Sequence, residues 1–164
     1  MKTLFVLRHA KSSWKDDSLS DHDRPLNKRG KRAAPRMGRW ARVHEVWPDV
    51  VLCSTAVRAR KTAEAFLAAG KYETPLLLEP DMYHCDVPGM VELIRPRTEH
   101  AVMIVGHNPG LEDMVASISQ QPVRFVTAAF AWIELPIESW SDLTEDVKGH
   151  LRALWKPREL PEAP

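Results

Sequence analysis

Short runs of aliphatic and β-branched residues recur along this chain, separated by longer stretches whose apolar side chains return every three or four positions. Such alternation specifies an α/β fold, with strands gathered in a mainly parallel sheet and the intervening helices covering both faces. The strand runs are residues 3–7, 50–53, 75–78 and 101–105, with later strands expected at 130–135 and 151–155. With 164 residues, 44% of them hydrophobic, the chain can close one core. We therefore expect a single-domain three-layer sandwich over residues 1–157, followed by a flexible proline-rich tail over 158–164.

The intervening stretches read as helices. Asn27 is a suitable N-cap for a helix carrying Ala33, Ala34, Met37, Trp40 and Ala41 on one side, and Pro35 inside it predicts a kink or a break. Residues 55–69 place Ala56, Ala59, Ala63, Phe66 and Leu67 together, and residues 88–94 form a shorter helix. A fourth is expected to open at Pro109 and to bury Leu111, Met114, Val115 and Ile118.

Charge narrows the classes of partner. Basic side chains number 23 and acidic ones 22, for a net charge of +1, so no broad electrostatic footprint for nucleic acid or a membrane surface exists. Any affinity for phosphate has to be local. No run is long enough to span a bilayer, and the apolar Leu4-Phe5-Val6-Leu7 is far shorter than a secretory core. Cys53 and Cys85 have neither a CxxC partner nor finger-like histidine spacing. A reducing cytoplasm is the expected location.

In open parallel sheets, ligands bind where the carboxyl ends of strands feed into helices. Arg8 and His9 follow the first strand, Ser54, Thr55 and Arg58 the second, and Gly106, His107 and Asn108 the strand ending at Val105. Read singly, each is ordinary. Arg8 is a surface charge, His9 a hydrogen-bonded core histidine, Arg58 a solvated helix charge and His107 part of a turn. Brought together, they place two arginines and two histidines beside helix N-termini, which is the chemistry of a phosphate site.

Three segments sharpen this expectation. Leu7-Arg8-His9-Ala10-Lys11-Ser12, the stretch from Cys53 to Glu64 that contains Arg58, and Val105-Gly106-His107-Asn108-Pro109-Gly110 resemble, in order and spacing, the motifs of the histidine phosphatase superfamily. This group includes the phosphoglycerate mutases. Ala10 and the segment from Asp23 to Gly30 are similar to the SixA-like phosphohistidine phosphatases. The resemblance implies a phosphoglycerate mutase-like fold and a covalent phosphohistidine intermediate on His9. It also implies that Arg8, Arg58 and His107 hold the phosphoryl oxygens, with His107 protonated beside the dianion and Ser12 a further contact. No metal or cofactor is implied.

Superfamily members acting on phosphate esters carry a catalytic glutamate after the third strand. Here that stretch offers Glu79, Asp81, His84 and Asp86 as possible general acids, within a connection short enough to leave the cleft open. The expected partner is accordingly a phosphorylated protein, such as a phosphohistidine-carrying signalling domain. The alternatives are a phosphatase of small phosphate esters and a phosphate-binding module without turnover. A zinc site from His9, His84, Cys85 and His107 is a further reading, with no recognisable ligand spacing.

Overall fold

The computed structural model describes residues 1–161. All six expected strands form: β1 (Lys2–Arg8), β2 (Val50–Ser54), β3 (Leu76–Glu79), β4 (Ala101–Gly106), β5 (Phe130–Leu135) and β6 (His150–Trp155). They make one sheet in the order β3-β2-β4-β1-β5-β6. Parallel pairing joins β3 to β2, β2 to β4 and β4 to β1, whereas β5 runs antiparallel to β1 and β6 antiparallel to β5. The sheet is mainly parallel, as the alternation predicts.

Every residue of β2 and β4 is buried, which explains why these strands read as unbroken apolar runs rather than alternating ones. Along β1, Leu4 and Val6 enter the core beneath α3 (Val87–Ile94) and α4 (Gly110–Ser119), together with Ile94, Leu111 and Met114. Phe5 and Leu7 face the other way, toward Met37 of α1 (Lys28–Val43) and Phe66 of α2 (Val57–Ala69). One strand thus serves both cores, because successive side chains leave a strand on opposite faces.

Local chemistry pins α1 to the loop that follows β1. The Asn27 side chain caps the helix by accepting from the Gly30 amide at 2.8 Å, while the Asn27 amide donates to the Lys11 carbonyl at 3.0 Å. Gly30 sits so close to that carbonyl that a Cβ at this position would overlap it.

At three places the structure adds to or alters the expectation. Of the kink or break expected at Pro35, the break does not form, since α1 continues through it: the carbonyl deprived of a donor belongs to exposed Lys31, where solvent can reach it. α2 begins at Val57 rather than residue 55, because Ser54 Oγ accepts the Ala56 amide at 3.2 Å and holds the preceding turn. The C-terminal segment is packed as far as it is described. A 3-10 turn covers Pro157–Glu159, Leu160 is buried, and the Arg36 guanidinium donates to the carbonyls of Pro157, Leu160 and Pro161. Residues 162–164 of the expected tail lie outside the described residues.

Candidate active site

Parallel pairing brings the carboxyl ends of β1, β4, β2 and β3 to one edge of the sheet, and the expected residues meet there. The His9 amide donates to the Gly106 carbonyl at 3.1 Å, so the turns after β1 and β4 lie side by side and the rings of His9 and His107 stand 5.2 Å apart. Arg58 arrives from the first turn of α2. Its carbonyl accepts the Thr62 hydroxyl, which in turn accepts the Ala10 amide at 2.9 Å, tying α2 to the residue after His9. His9, Arg58 and His107 are all buried.

The hydrogen bonds define the histidine tautomers. His9 Nδ1 lies 2.8 Å from the Ala10 carbonyl oxygen, which can only accept, so Nδ1 carries the proton and Nε2 keeps its lone pair. Ser54 Oγ already accepts the Ala56 amide and lies 2.8 Å from His107 Nε2. Since Ser54 is fully buried, its hydroxyl proton has no other acceptor among the described residues and goes to His107 Nε2. This leaves Nδ1–H of His107 as a buried donor. It has no partner among the described residues, and neither do Arg8 Nε and Arg58 Nε. Three unpartnered buried donors at one site are the hydrogen-bonding complement of an anion.

Burial, with the neighbouring positive charges of Arg8 and Arg58 adding to it, pushes His9 down to about 4. His107 is pushed down to about 3, first by burial and then by His9 and Arg58, with Asp21 opposing. Both imidazoles are thus held in the neutral form at pH 7, while the protonation expected of His107 refers to its state beside a bound phosphoryl dianion. An imidazole NMR titration is expected to find both still neutral at pH 5.5, and protonation of either near about 6.5 would contradict the burial described. Because the folded values lie below the unfolded one, the stability these groups permit is complete above about pH 6.5. It declines as the pH falls toward about 4 and then about 3, which a lower urea midpoint at acid pH would register.

Arg8 donates to the Phe125 carbonyl at 3.2 Å, and burial lowers its pKa against an opposing effect of Glu112. Arg58 is engaged more fully than the sequence suggests. Its Nη1 donates to the Asp21 carbonyl at 2.6 Å and its Nη2 to the Asp21 carboxylate at 3.0 Å. That carboxylate also accepts the Tyr83 hydroxyl at 2.6 Å and, through its other oxygen, Arg24 Nε at 3.3 Å. Tyr83 above all, and then Arg58, hold the Asp21 carboxyl far below the usual carboxylate range. The Tyr83 ring roofs the site, 3.9 Å from the His84 ring, 4.9 Å from that of His22 and 5.5 Å from that of His107. Asp21 and Tyr83 are the site residues that sequence reasoning missed. The one available signal was a pocket arginine with no carboxylate near it in sequence.

The remaining candidates separate by position. Ser12 is buried, with its hydroxyl accepting from Arg24 Nη1 at 3.0 Å. Asp86 caps α3 through the Gly89 amide at 3.0 Å. Asp81 and Asp86, after burial, raise the Cys85 thiol, which reaches about 11. Glu79 ends β3 beside Ser54 in register, and its charge helps to raise the pKa of Arg97. His84 lies beside the histidine pair, its ring 6.4 Å from that of His107 and its Nε2 4.0 Å from the Asp21 carboxylate. The zinc reading finds no support: among the described residues no three His, Cys, Asp or Glu side chains converge to hold a metal ion. Nor is any described helix long and apolar enough to cross a membrane.

Comparison with known proteins agrees with this geometry. The model of the histidine phosphatase superfamily (branch 1) matches residues 4–93. An uncharacterized protein of Mycobacterium tuberculosis is 38% identical over 118 residues, 69% of this chain and 72% of its own. Among solved structures, the proposed phosphohistidine phosphatase SixA of Agrobacterium tumefaciens superimposes with a TM-score of 0.82 at 27% identity, covering 95% of this chain and 98% of that one. The corresponding protein of Nakamurella multipartitia gives 0.77 at 29%, covering 95% and 96%. With the motifs assembled at one sheet edge and the family match extending over more than half the chain, the protein belongs to the histidine phosphatase superfamily, in its SixA-like group, and is a phosphatase that works through a histidine.

Proposed function

We propose that this phosphatase hydrolyses the phosphoramidate bond of protein phosphohistidine, with His9 as the nucleophile. The observation that carries the reading is the fixed tautomer of His9, neutral and with Nε2 unprotonated. In the first step the Nε2 lone pair forms a bond to phosphorus as the bond to the substrate imidazole breaks. The substrate ring departs neutral, taking the bonding pair, because its other nitrogen already carries a proton. The Ala10 carbonyl, held against Nδ1–H, steadies the positive charge that develops on the His9 ring. Water then attacks phosphorus, inorganic phosphate leaves, and the electron pair returns to Nε2.

Arg8, Arg58 and His107 supply the donors for the phosphoryl oxygens, and the two arginines provide charge stabilisation that needs no metal ion. Ser54 orients His107 from behind, and Asp21 holds Arg58 in place. Ser12 acts through Arg24, at the edge of the same network.

Substrate preference follows from the proton donors. An alkyl phosphate expels a strongly basic alkoxide, for which a positioned acid is worth about 10²–10⁴ in rate. Of Glu79, Asp81, His84 and Asp86, His84 has its ring 6.4 Å from that of His107, and it is exposed. We therefore expect kcat/KM to rank phosphohistidine above aryl phosphate and aryl above alkyl phosphate, with His84→Ala lowering the ester rates and sparing phosphohistidine. Alkyl esters hydrolysed as fast as phosphohistidine, with one of the four substitutions abolishing that activity alone, would identify a small-ester phosphatase instead.

A further inference from the structure

A second concentration of positive charge begins beside the reaction centre, at Lys11 and Arg124, and extends away from it. α1 turns Arg29, Arg32 and Arg36 along one face, at intervals of three and four residues. That face borders a cleft of about 700 Å³, closed on its other sides by Lys11, Arg124, Lys156 and Arg158. Among the described residues, seven of the chain's 23 basic side chains therefore meet one carboxylate, Glu159, a balance of +6 from those residues in a protein of net charge +1. None of His9, Arg58 and His107 lines it.

Ion pairing engages seven of the chain's other 16 basic side chains and none of these seven. Arg24, Arg58, Arg60, Lys61, Arg95, Arg97 and Arg152 each stand within ion-pair distance of a carboxylate. No cleft cation does so among the described residues. Arg36 builds the wall by donating to three C-terminal carbonyls, and the other six have no side-chain hydrogen bond among the described residues. Uncompensated like charges raise the energy of the compact state, and a ligand that neutralises them gains what their repulsion costs.

Position and size narrow the ligand. Leu7 pairs with Phe130 and Phe130 with Trp155, so the end of β6 lies two strands from the end of β1, about 10 Å away at ordinary strand spacing. The volume is that of a small-molecule site, and Ala33, Val126 and Pro157 add an apolar portion to the lining.

We propose that this cleft is a second anion site, binding a small molecule that carries two or more phosphate groups. The inference does not depend on which substrate the His9 centre takes. Calorimetric titration of the full chain with inorganic tripolyphosphate and, separately, with ATP tests it and distinguishes a bare phosphate chain from a nucleotide as the source. At least one of the two is expected to bind with one-to-one stoichiometry. Reversing charge on opposite walls, with Arg32→Glu and Lys156→Glu together, should weaken that binding on the order of tenfold or more. Turnover of an aryl phosphate should stay within about twofold, because neither Arg32 nor Lys156 is among the groups that contact His9, Arg58 or His107. The milder pair Arg32→Gln and Lys156→Gln should give an intermediate loss, and it serves should the reversal perturb folding. Binding unchanged in both double variants would mean that the polyanion occupies only the reaction centre and would overturn the proposal. So would failure of both ligands to bind, or capture of an acidic decapeptide in their place, which would make the cleft a protein-docking surface.

Discussion

His9→Ala is expected to lower turnover of phosphohistidine and of aryl phosphate on the order of 10⁴-fold or more, the scale seen when a covalent nucleophile is removed. Inorganic phosphate should still bind within about tenfold of the parent affinity, because Arg8 Nε, Arg58 Nε and His107 Nδ1 remain as buried donors. The substitution removes the hydrogen bond to the Ala10 carbonyl but leaves the Ala10 amide on Thr62, so the loop keeps its position. In the parent, rapid quenching into alkali, which preserves nitrogen–phosphorus bonds, should recover the phosphoryl group on His9. Substantial turnover by His9→Ala, or label on another residue, would refute the covalent route.

Arg58→Ala is expected to cost kcat/KM about 10²–10³-fold, as the loss of a preorganised donor to the transition state typically does. Two features set that size. Arg58 is buried, with its Nε unpartnered among the described residues, and its two terminal nitrogens are fixed by the carbonyl and carboxylate of Asp21. Its orientation is therefore settled before substrate arrives, which avoids reorganisation during the reaction. Arg58→Lys should recover little, since one ammonium cannot hold both Asp21 oxygens and also face the substrate. Thermal melting separates lost chemistry from lost fold. A kcat/KM within about threefold of the parent would place Arg58 outside the transition-state contacts.

Much of the site could be read in the chain because its residues sit at strand ends. Arg8, His9 and His107 follow apolar runs, and a parallel sheet brings such ends together whatever the detailed packing. Asp21 and Tyr83 gave no comparable sign. They meet Arg58 and each other across 37 and 62 residues of chain, in a 3-10 turn and a loop with no periodicity to mark them. The downward shift of His107 was equally hidden, because it depends first on burial, which a motif does not encode. At Pro35 the local rule left a break open, and the helix continues instead because the carbonyl it deprives is open to solvent.

The strand order has a consequence for how the molecule comes into being. β4 lies between β1 and β2, so the first two strands share no hydrogen bonds and stay apart until residues 101–106 enter between them. On a ribosome, the segments bearing His9 and Arg58 emerge long before the strand that unites them. Until then both present unpaired apolar edges, the condition under which chains seek the wrong neighbours. The phosphatase centre is thus a late product of synthesis, and the nascent half-molecule is the form most in need of protection.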